Sequence, residues 1–108
     1  MSEQEELEKR IIAHCEGLRS ILDELRNNTF DREKFDELID LLKQYHQTLK
    51  GQNVMSRTMA GYVDTLHIMV QSTLLYHLWK TGDKEMEKQL TAAYDETLQI
   101  ISEIYFVD

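Results

Sequence analysis

Apolar residues recur along most of this chain at steps of three and four, the spacing that draws one face of an α-helix. From about Glu3 to Arg26 they fall at Leu7, Ile11, Leu18, Ile21, Leu22 and Leu25, with His14 and Cys15 filling the intervening turn. A second stripe reads Phe35, Leu38, Leu42, Tyr45 and Leu49, and a fourth reads Met86, Leu90, Ala93, Tyr94, Leu98, Ile101 and Ile104 or Tyr105. Between them a third segment starts near Asn53 or Ser56 and runs to Lys80. The punctuation agrees with these bounds. Asn27-Asn28-Thr29 ends the first helix. Asp31 is an N-cap for the second, with Phe30 and Phe35 placed as a hydrophobic staple. Lys50-Gly51 stops the second, Gly82 closes the third and Asp83 caps the fourth. Short connections make neighbours antiparallel. The prediction is an all-α, antiparallel up-down four-helix bundle with a long, weakly charged third helix, residues 1–108 forming one domain.

The third helix departs from the others. Thr65 to Trp79 is a run of fifteen residues without Asp, Glu, Lys or Arg. A helix on the outside of a small bundle normally turns a charged face to water. This one carries two seams instead. Met59, Tyr62, Leu66, Val70 with Met69, Thr73 and His77 form one; Gly61, Thr65, Ile68, Ser72, Leu75 and Trp79 form the other. One bundle buries the first. The second is then either covered by another molecule or part of a wider internal core. Small residues at Gly61, Thr65 and Ser72 permit close helix approach, and Ile68, Leu75 and Trp79 are anchors of the kind that dominate interfaces. These six residues are the expected partner or dimer interface, with a homodimer through helix three as the expected assembly.

Composition narrows the class. There is no proline, and glycine occurs four times, too few for the turns of a β-sandwich or barrel. The net charge is −8, with Lys and Arg interleaved among acids, so nucleic acid is not an expected partner. The single Cys15 excludes an internal disulfide. The opening MSEQEELEKR has no apolar core of a signal peptide, and the uncharged run is too short and polar to span a bilayer. The expectation is a cytoplasmic protein without a membrane partner.

Candidate chemistry is sparse. No two of His14, His46, His67 and His77 have the three- or four-residue spacing of helical metal ligands. Cys15 lies near the apolar face of helix one without an activating base in sequence. On helix two, Glu33, Asp36, Glu37 and Asp40 place several carboxylates on one face. The order Asp36-Glu37-x-x-Asp40 looks like the E-E-x-x-E box of the all-α nucleotide pyrophosphohydrolases, which implies magnesium-dependent hydrolysis. That family's second acidic pair has no counterpart here: Asp64 is the only acid on helix three, and Gly61 takes the partner position.

His46-Gln47-Thr48-Leu49-Lys50-Gly51 resembles the H-x-L-K-G element of histidine phosphotransfer domains, which implies a phosphorylated His46. The element here is one residue longer, which turns the lysine by about 100° relative to the imidazole. The four-helix pattern also resembles that of bacteriocin immunity proteins. The reading that follows is a small acidic non-enzymatic protein-binding protein, of immunity, antagonist or adaptor type. It is expected to need no catalytic residue, no metal and no cofactor, with phosphotransfer through His46 and nucleotide hydrolysis as the alternatives.

Overall fold

The computed structural model describes the backbone of residues 2–49 and 55–105 and side chains as far as Glu103. It is all-α. The helices are α1 (Glu3–Cys15), α2 (Ile21–Arg26), α3 (Arg32–Thr48), α4 (Arg57–Tyr76) and α5 (Lys84–Tyr105), and a π-helical turn, His77–Thr81, continues α4. Among the described residues there is no strand.

The helix starts follow from side-chain capping. Ser2, Ser20, Asp31 and Ser56 each accept a backbone N–H from three residues on, at 3.1–3.2 Å. Asp83 accepts from Met86 N–H at 3.0 Å and so starts α5. Phe30 and Phe35 meet with ring centroids 5.3 Å apart, which forms the staple at the start of α3. Ser56, not Asn53, caps α4; Asn53 and the Lys50-Gly51 stop lie outside the described residues.

One expectation fails at the first helix. It is not continuous from Glu3 to Arg26 but breaks between Cys15 and Ile21. Gly17 and Arg19 both take left-handed φ, +92° and +64°. Ser20 then works against the continuing helix. Its hydroxyl donates to the Cys15 carbonyl at 3.3 Å and accepts Asp23 N–H at 3.2 Å, while the Asp23 carboxylate accepts Arg19 N–H at 3.0 Å. Local side-chain bonds thus outbid the helical ladder. Leu18, expected on the core face, is 92% exposed as a result.

The core is built from one face of every helix. Leu7, Ile11 and Cys15 of α1 meet Phe35, Leu38, Leu42 and Tyr45 of α3; Met59, Val63, Leu66 and Val70 of α4 meet Leu90, Ala93 and Ile100 of α5. α1 and α3 run antiparallel, since the Tyr45 hydroxyl donates to Glu8 at 3.0 Å while His14 faces Glu37 at 3.4 Å. The expected α5 stripe needs correction at one point. Leu98 is 45% exposed, and Thr97 and Ile100 are buried in its place. Thr97 turns inward because its hydroxyl has two partners, the Tyr94 carbonyl at 2.9 Å and His67 Nδ1 at 2.8 Å. No described helix is long and apolar enough to cross a membrane.

Candidate functional site

The two seams of α4 separate cleanly. Met59, Leu66, Val70, Thr73 and His77 are buried and Tyr62 and Met69 half-buried, whereas Gly61, Thr65, Ile68, Ser72, Leu75 and Trp79 are all exposed. The second seam is therefore not internal core of this chain. Ile68 is 60% and Trp79 81% exposed, and Leu75, Tyr76 and Leu78 are open as well. Among the described residues, most of the large apolar side chains left in water thus lie on α4 and its π-helical turn.

That turn is fixed from inside. His77 Nε2 donates to the Asn28 carbonyl at 2.9 Å, and its Nδ1 pairs with the Thr81 hydroxyl at 2.9 Å. The Gly82 N–H closes onto the His77 carbonyl at 2.8 Å, and Gly82 takes φ +64°, the left-handed region where a side chain would be strained. One turn earlier the Thr73 hydroxyl donates to the Leu25 carbonyl at 2.9 Å. The polar residues of the inner seam thus tie the helix to the end of α2 and its following turn, and leave the outer seam without work inside the fold.

At the other end of the same face is an open cleft of about 540 Å³, between the α1–α2 break and the first turns of α4. Glu16, Arg26, Arg57, Gly61, Tyr62 and Thr65 are among its lining, with the buried Cys15. The Tyr62 hydroxyl donates to the Glu16 carboxylate, and this bond to an anion pushes the phenol up to about 12. Burial, with Glu16 nearby adding to it, pushes the Cys15 thiol up to about 12 as well. A thiol so protonated is a core residue and no nucleophile at neutral pH. Among the described residues neither Arg26 nor Arg57 makes an ion pair.

The groups singled out for chemistry are dispersed. Asp36 pairs with Arg32 at 3.0 Å, and Arg32 reaches Glu96 at 2.9 Å; Glu37 faces His14; Asp40 accepts from Gln44 at 3.0 Å. Glu33 is exposed beside them. Among the described residues no three His, Cys, Asp or Glu side chains gather as a metal site. Half-buried His67 pairs with Thr97, and buried His77 is held by Asn28 and Thr81. His46 is half-buried in the last turn of α3, and Lys50 and Gly51 of its motif lie outside the described residues. Sequence reasoning missed the cleft, Tyr76 and Leu78. The break at Gly17, with Ser20 and Asp23 in capping positions, was the signal for the cleft; nothing in the local pattern announces a π-helical turn.

Compared with models of known protein families, with curated proteins and with solved structures, the chain matches none of them. Its function has to be read from its own surface.

Proposed function

We propose that this chain is a non-enzymatic protein-binding protein, of antagonist or adaptor type, which works as a homodimer joined along the outer face of α4. In this reading the helices form an up-down bundle of four, the first of them broken into α1 and α2. One observation carries the proposal: Ile68, Leu75 and Trp79 stand in water in a single row, on a helix whose flank has almost no charge. Apolar burial is worth about 25 cal/mol per Å², and soluble monomers rarely leave a contiguous patch of more than a few hundred Å² open.

Charge supports a second copy as the occupant. Residues 53–82 carry Arg57, Asp64 and Lys80, a net of +1, so the remaining chain carries −9. Two like-charged copies meet little repulsion along a segment whose net charge is close to zero. A helix crossing with its flanks can bury on the order of 1,200 Å², the lower bound of a specific interface. The dimer leaves the acidic faces of α1 and α5 outward, suited to a basic protein partner.

Sedimentation across a dilution series tests the reading. The expected result is twice the chain mass at high concentration, falling to one chain on dilution. The emission of Trp79, the sole tryptophan, should move to shorter wavelength as the dimer forms. A single-chain mass at every concentration contradicts the proposal.

A further inference from the structure

The outer face of α4 carries a projection at one end and an opening at the other. Trp79 projects from the π-helical turn, 81% exposed. Gly61 and Thr65 border the cleft of about 540 Å³. The two features are separated by fourteen to eighteen residues of numbering, about 21–27 Å at ~1.5 Å per residue. A knob and a seat on one face, at fixed separation, are self-complementary about a two-fold axis placed midway between them.

Gly61 gives independent support. A Cβ built there meets nothing within 4 Å, so nothing in the chain's own packing requires glycine. Yet glycine inside a helix costs about 1 kcal/mol relative to alanine. An arriving side chain from outside would need that space.

We propose that the homodimer is antiparallel along α4, with its two-fold axis at Ser72 and each copy's Trp79 seated in the cleft beside Gly61 and Thr65 of the other. This rests on the dimer reading above and gives it a register. Ser72 is the midpoint of Thr65 and Trp79, and equally of Ile68 and Tyr76. The axis therefore falls on a small polar residue, Ile68 packs near the partner's Leu75 and Tyr76, and Trp79 comes over the partner's Thr65. The seat is chemically suited to an indole. Arg26 and Arg57 line it, among the described residues without an ion pair, beside Glu16, whose carboxylate accepts from Tyr62; both guanidinium groups can stack on the ring, as they do on tryptophan.

Disulfide trapping tests the register. In a Cys15→Ala background, Ser72→Cys on the axis should form an intermolecular disulfide under mild oxidation. Gly61→Cys should not, because the two copies of that position lie about 33 Å apart in an antiparallel pair, beyond disulfide reach. Gly61→Leu, whose Cβ meets no atom of its own chain, should fill the seat and raise the dimer dissociation constant about tenfold or more. Self-linking at Gly61→Cys means a parallel pair and overturns the proposal. Failure of Ser72→Cys to link, or unchanged affinity in Gly61→Leu, while wild type still sediments as a dimer, overturns this geometry and leaves the dimer standing. A monomeric wild type removes both.

Discussion

α3 and α4 solve the same packing problem and end with opposite outer faces. Each buries a stripe at steps of three and four: Phe35, Leu38, Leu42 and Tyr45 on α3, Met59, Val63, Leu66 and Val70 on α4. Away from the core, α3 shows water Glu33, Asp36, Glu37, Asp40 and Lys43, which pair with neighbours or stay solvated. α4 shows Gly61, Thr65, Ile68, Ser72, Leu75 and Trp79. The inner stripe of a helix reports what the fold needs. The outer stripe is free of that demand, and the proposed dimer assigns its departure from charge to a second copy. Five structural hydrogen bonds from Thr73, His77, Thr81 and Gly82 hold α4 and its turn without help from the outer stripe.

The comparison breaks if the inner and outer stripes of α4 prove energetically alike. Leu66→Ala removes a side chain that is 1% exposed and should cost ~2–5 kcal/mol in urea unfolding. Ile68→Ala, measured where the chain is dilute and monomeric, should cost less than about 0.5 kcal/mol, as for other surface changes. Equal losses would place Ile68 in the core.

Alkaline stability sharpens the inner side of the same account. Burial holds the Cys15 thiol at about 12 against an ordinary 9.0, so the unfolded chain gives up its proton first. Stability is then full below about pH 9 and falls as pH rises toward about 12. In Cys15→Ala the decline over that window should be shallower, leaving the part due to Tyr62 and Tyr45, whose phenols are also raised. An unchanged decline would mean the thiol is not buried in the folded chain.

The smallest effect has the opposite sign. Gly61→Ala should stabilise the monomer by ~0.5–1 kcal/mol, because the helix gains a better former and the new methyl meets no atom of its own chain. A loss of stability would show that Gly61 is needed inside the fold.

Most of the helices were legible in the sequence because their signals are local. Asp31, Ser56 and Asp83 announce starts, Gly82 announces a stop, and the stripe of α3 is continuous over its length. The break at Gly17 was hidden because Cys15, Leu18 and Leu22 keep helical spacing across it; periodicity alone cannot weigh Ser20 and Asp23 as competing partners for the backbone. Leu98 was misplaced for a related reason, since the buried position beside it goes to Thr97, whose hydroxyl is satisfied by a histidine thirty residues away. Of the candidate surface, the six seam residues were visible as a charge-free row. The cleft that borders it was not, because Arg26 and Arg57 come together only through the fold.

Ile68→Glu tests the central claim most directly, with helicity, melting temperature and sedimenting mass measured on one sample. A two-fold interface would bury the new charge twice, whereas the folded monomer has it in water. The account predicts a chain that is as helical as wild type, melts close to the wild-type monomer and no longer dimerises. A chain that unfolds, or one that still dimerises with wild-type affinity, would contradict it.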